Sequence, residues 1–91
     1  MKLIIRTSAE LHIKEAVNWY SEKAPFQVKR FVTDLSRIFE LIQDKPELFQ
    51  LRYKGIRIAF LTNFPYGVHY IIDDGQVIII AVLHTKRYFN K

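Results

Sequence analysis

The run Val77–Leu83, seven apolar residues without a polar interruption, limits what this chain can become more than any other feature. A strand with one wet face alternates apolar and polar side chains, so an unbroken run belongs inside a sheet covered from both sides. Just before it stand Asp74-Gly75, which accept the positive φ of a type I′ hairpin turn, and a second extended run, Tyr66–Ile72. A third run, Ile56–Leu61, is ended by Thr62-Asn63-Phe64-Pro65. Gly55 to Tyr88 therefore reads as a meander of three antiparallel strands with Val77–Leu83 central. Its exit is His84-Thr85-Lys86-Arg87-Tyr88, so a buried strand delivers a cluster of ionisable groups to its end.

The chain before the meander is helical. Leu3–Ile5 is a short apolar strand, and Thr7-Ser8-Ala9-Glu10 has the pattern of a capping box at a helix start. Ala9, Ile13, Ala16, Val17, Tyr20 and Ala24 then fall on one helical face, with Trp19 beside the stripe and expected to flank the core. Pro25 suits the first turn of a second helix. Val28, Phe31, Val32, Leu35, Ile38, Phe39 and Ile42 follow at steps of three and four, and Lys45-Pro46 stops the helix. The spacing predicts helices near Ser8–Lys23 and Pro25–Asp44, then an extended Phe49–Tyr53 and a turn at Lys54-Gly55. This β-α-α-β-β-β order is an α+β fold, a two-helix hairpin packed on one face of a mainly antiparallel sheet. Phe31, Leu35, Ile38 and Ile42 are expected to pack on Ile58, Tyr70 and Ile80.

Ninety-one residues make one domain with one core. With no cysteine there is neither a disulfide framework nor a thiolate metal site, and three scattered histidines without a carboxylate cluster give no zinc or calcium site. No metal and no cofactor is expected. Nothing approaches the roughly 20 apolar residues of a membrane span, and the apolar run after Met1 is too short for a signal peptide. The expectation is a soluble cytoplasmic protein. A net charge of +5, from 14 Lys and Arg against 9 Asp and Glu, favours an anionic partner, nucleic acid or an acidic protein segment.

Period-two alternation divides the meander into faces. If Ile56, Ile58 and Phe60, with Val68, Tyr70 and Ile72, pack on the helices, Arg57 and His69 point to the open face. There they join His84, Lys86 and Arg87, with Arg52, Lys54, Tyr66 and Tyr88 nearby, in a basic patch with aromatic neighbours. Such a patch suits phosphates and stacked bases.

Several of these residues resemble one family. The G-x-R of Gly55–Arg57, the F-P-Y of Phe64–Tyr66, Tyr70, and the A-V-L-H-x-x-R of Ala81–Arg87 look like the ParE/RelE superfamily of toxins, as do the Trp19-Tyr20 pair and Pro46. The resemblance spans essentially the whole chain and implies the toxin half of a type II toxin–antitoxin module, neutralised by a cognate antitoxin. RelE-like members cleave messenger RNA on the ribosome with arginines, lysines and often a C-terminal tyrosine; ParE-like members are associated with poisoning DNA gyrase. In RNA cleavage, His84, Arg87 and Tyr88 are the candidates for base, phosphorane cation and acid. At the position where the nuclease members carry a strand arginine, however, this chain has Gly67. That departure favours the ParE-like reading, with Arg57, His69, His84, Lys86, Arg87 and Tyr88 serving recognition of target or antitoxin. A basic RNA-binding domain without toxicity is the remaining alternative.

Overall fold

The computed structural model describes residues 1–86. The elements are β1 (Lys2–Ile5), α1 (Thr7–Lys23), α2 (Val28–Asp44), β2 (Leu51–Tyr53), β3 (Ile56–Phe60), β4 (Tyr66–Asp73) and β5 (Gln76–His84), with a 3-10 turn at Pro25–Gln27 joining the helices. Sheet order is β1-β5-β4-β3-β2. Neighbours are antiparallel except β1, which runs parallel to β5 and closes that edge. The α+β arrangement is the expected one, and the seven-residue apolar run is flanked by a strand on each side. Both predicted turns form: Asp74 and Gly75 have φ of 50° and 74°, Lys54 and Gly55 of 45° and 74°. Glycine at the second position adopts this left-handed geometry without strain.

Local details depart from expectation where the chain passes directly from β1 into α1. Arg6, not Thr7, is the residue flanking the helix, with φ −68° and ψ 155°, and no side chain caps it. The capping box is therefore absent. Because β1 is paired up to Ile5, the Arg6 N–H is still drawn to Ile79 O at 3.0 Å, and the helix begins at Thr7, one residue before the expected Ser8. Trp19 is 54% exposed, with its ring edge-on to Tyr20, so it does not belong to the core. At the helix junction Pro25 opens a tighter 3-10 turn, and α2 itself starts at Val28.

The core joins Ala9, Ala16 and Tyr20 of α1 to Phe31, Leu35, Ile38 and Ile42 of α2 and to Ala59, Val68, Tyr70, Val77, Ile79 and Val82 of the sheet. Its register fixes which residues share a face. Arg57 lies opposite Tyr70, and Ile58 opposite His69. Ala59, Val68 and Tyr70 face the helices, so Arg57 does too, while Ile56, Ile58, Phe60 and His69 face away. The expected faces are thus reversed in β3: Ile58 is buried on the far side of the sheet and does not meet α2. Side-chain bulk was the wrong guide here. The small Ala59, fully buried, lets α2 come close to β3.

Two hydrogen bonds fasten the chain leaving α2. Tyr70 donates its hydroxyl proton to Pro46 O at 2.5 Å, and Arg57 Nη1 donates to Phe49 O at 2.6 Å. Burial of Tyr70 pushes its pKa up to about 12, against a smaller lowering by the Arg57 charge. The phenol thus stays a donor throughout the physiological range.

Leu35 is 5% exposed at the centre of this core. Leu35→Ala should lower unfolding free energy by about 2–5 kcal/mol in denaturant titration, the usual cost of emptying a buried leucine site. A loss below about 1 kcal/mol would contradict this placement of α2.

Candidate functional site

β5 extends past the end of β1, and the uncovered part of its edge is served by α1. Ser8 Oγ donates to Ile80 O at 2.8 Å, and the Val82 N–H donates to His12 Nδ1 at 3.2 Å. Ser8 and His12 are four apart, one above the other on the helix, so one polar line beside the apolar stripe replaces a missing strand. This Ser-x-x-x-His spacing was the available sequence signal for the contact.

A register shift in β5 decides where its exit points. His69 pairs with Ala81 but Tyr70 with Ile79, so Ile80 is an extra, bulged residue. Beyond a bulge the alternation of faces changes phase. Val77 and Ile79 face the helices before it, and Val82 and His84 after it. His84 consequently pairs with Tyr66, their ring centroids 5.2 Å apart, and its Nδ1 accepts the Lys86 N–H at 3.1 Å. The loop before β4 is drawn to the same place, since the Thr85 N–H donates to Pro65 O.

These elements enclose a groove of about 440 Å³ between α1 and the ends of β4 and β5, lined by His12, Glu15, Ala16, Trp19, Tyr20, Pro65, Tyr66, Val82 and His84. Its walls are mostly aromatic. Burial raises the Tyr20 and Tyr66 pKa values above 10, the latter further through its proximity to Tyr20. Both histidines use Nδ1 as an acceptor from a backbone N–H, which assigns their protons to Nε2.

The predicted basic patch is not assembled on one face. His84 looks toward α1. Arg57 is on the same side of the sheet but in the row of Tyr70, four residues along β4 from the Tyr66 row, and is held by Phe49 O. His69 is on the opposite face, 1% exposed, with Nδ1 2.8 Å from the Tyr53 hydroxyl. Lys86 is exposed at the β5 exit. Arg87 and Tyr88 lie outside the described residues. Arg52 lies over the Phe60 ring at 5.4 Å, on the face away from the helices.

That far face is apolar and tightly built around Gly67. A Cβ there would come 2.8 Å from Ile58 Cγ2 and 3.2 Å from the Phe60 ring. Ile58 and Phe60 lean into the space a side chain would need. No arginine could stand at this position unless both moved.

Comparison with known proteins agrees with this architecture. The family model described as the ParE toxin of type II toxin–antitoxin system, parDE, matches residues 3–89. Toxin ParE2 from two strains of Mycobacterium tuberculosis, CDC 1551 / Oshkosh and H37Rv, is 28% identical over 90 residues, covering 98% of this chain and 86% of the relative. A solved structure described as the chromosomal ParDE TA system from P. aeruginosa superposes with a TM-score of 0.82 at 15% identity, covering 92% of this chain and 95% of that one.

Gly67→Ala should destabilise the fold by about 1–3 kcal/mol, the cost of overpacking a filled site. Thermal or denaturant unfolding reads this directly. An unchanged stability would mean that the far face has room for a side chain.

Proposed function

Since the chain belongs to the ParE toxin family of type II toxin–antitoxin systems, we propose that it arrests growth by binding a protein target, DNA gyrase being the candidate, and that a cognate antitoxin holds it silent in the cytoplasm. The observation that carries this reading is the packing at Gly67. Nuclease members of the superfamily place a strand arginine there, and this chain fills the space with Ile58 and Phe60. Removing a preorganised donor of transition-state charge costs roughly 3 kcal/mol at comparable sites. The engaged Nδ1 of His84 supports the same reading, because a general base needs a free lone pair within reach of the proton it removes.

Recognition is then the work of surface rather than of a reacting group. Trp19, Tyr66 and His84 offer contact area in the groove, Lys86 at the β5 exit offers charge, and the sequence adds a further cation in Arg87. Aromatic and arginine side chains are the usual energetic anchors of protein interfaces. The antitoxin would lay apolar side chains on the far face, around Ile56, Phe60 and Leu83, and set carboxylates against Arg52 and Lys86. Among the described residues no helix is long and apolar enough to cross a membrane, which suits a partner met in solution.

Inducing the chain in cells while following plasmid supercoiling beside transcript integrity tests the proposal. The expected outcome is relaxed plasmid with intact transcripts, and relief on co-expression of the antitoxin. Arg87→Ala should weaken target binding by about 1–3 kcal/mol, as for loss of a charge-assisted hydrogen bond. Arrest with fragmented transcripts and normal supercoiling would refute it.

A further inference from the structure

A second pocket, of about 350 Å³, opens on the other side of the loop before β4, between that loop and the first half of α2. Its lining includes Asp34, which is 1% exposed. Asp34 Oδ2 accepts the Asn63 N–H at 3.0 Å, and Oδ1 is buried without any hydrogen-bond partner. A buried carboxylate oxygen left unpaired is costly, and native proteins rarely keep one without a use. Around it stand three exposed cations, Lys29, Arg30 and Arg37. Arg30 donates to Gln27 Oε1, and none of the three forms an ion pair among the described residues. Phe26, 77% exposed, completes the rim with a bare aromatic face.

These features ask for different things from one ligand. The rim asks for negative charge, and its three cations repel an ammonium or guanidinium group. Asp34 asks for a neutral N–H or O–H donor. Phe26 asks for a flat surface to stack on. The volume falls within the range of about 300–1,000 Å³ typical of small-ligand sites. A nucleotide meets all three demands. Guanine meets them better than adenine, because it presents N1–H and the N2 amine side by side, whereas the adenine amine sits between two ring acceptors that a carboxylate repels.

We propose that this pocket binds a guanine nucleotide, with the base donating to Asp34 Oδ1 and stacking on Phe26, and the phosphate held by Lys29 and Arg37. The site is separate from the aromatic groove and from the Gly67 face, and it does not depend on the toxin reading. The nucleotide is either free or one unit of a single strand. Backbone tracking by cations and base stacking on an aromatic ring are common to both.

The test is calorimetric titration of the whole chain with GMP, AMP, inorganic phosphate and a short guanine-containing single-stranded oligonucleotide. GMP should bind at least about tenfold more tightly than AMP or phosphate. Arg37→Glu, at an exposed position, should weaken GMP binding about tenfold with the melting temperature unchanged. Asp34→Asn should erase the preference for GMP over AMP; if that variant does not fold, Phe26→Ala replaces it and should bring GMP binding down to that of phosphate. Oligonucleotide binding at least about tenfold tighter than GMP assigns the ligand to a strand, and equal binding assigns it to the free nucleotide. Phosphate binding as tightly as GMP, or GMP binding that survives Arg37→Glu intact, would overturn the proposal.

Discussion

Four aromatic rings tie the parts of this small domain together. Tyr20 from α1 and Phe31 from α2 pack on each other and on both Phe64, from the loop before β4, and Tyr66, its first residue, with centroids 5.2–6.3 Å apart. Such pairs add about 0.5–1.5 kcal/mol each beyond the area they bury. The cluster is where both helices, the loop and the sheet meet, so it sets the height of the helices above the strands. It also fixes the loop: Phe64 is its anchor, Asn63 on one side reaches Asp34, and Pro65 on the other walls the aromatic groove. Both pockets are thus shaped by the same packing.

The fold was legible because its strongest signals were local. Helical periodicity in α2, the Asp74-Gly75 turn and the unbroken apolar run of β5 each agree with the tertiary arrangement. The faces of the sheet were less legible, for two physical reasons. In β3 the bulkier set of side chains turned away from the helices, because close approach of α2 selects the small Ala59. In β5 the same run that marked the strand as central concealed its bulge, since a stretch with no polar residue carries no phase. The bulge moves His84 to the α1 side, which separates it from His69 and dissolves the single patch read from alternation. His12 and Asp34 were missed because each looks like an ordinary polar residue of an amphipathic helix. Only the tertiary partner, Val82 N–H in one case and Asn63 N–H in the other, distinguishes them.

The functional proposal depends on how the far face of the sheet is filled. An active nuclease face needs long cationic side chains with room to move around a phosphate. Here Ile58 and Phe60 close over Gly67, His69 is tied to Tyr53, and Arg52 rests on Phe60. These contacts make a firm apolar surface with charge at its margin, the composition of a protein-docking face. The proposal of recognition in place of catalysis rests on this packing, in a chain that belongs to the ParE toxin family.

The most direct test supplies the purified chain to ribosomes paused on a defined message and maps the message by primer extension. Full-length message at every concentration that arrests growth is the predicted result. Cleavage positioned at the ribosomal codon, abolished by substituting His84 or Arg87, would contradict the account at its centre.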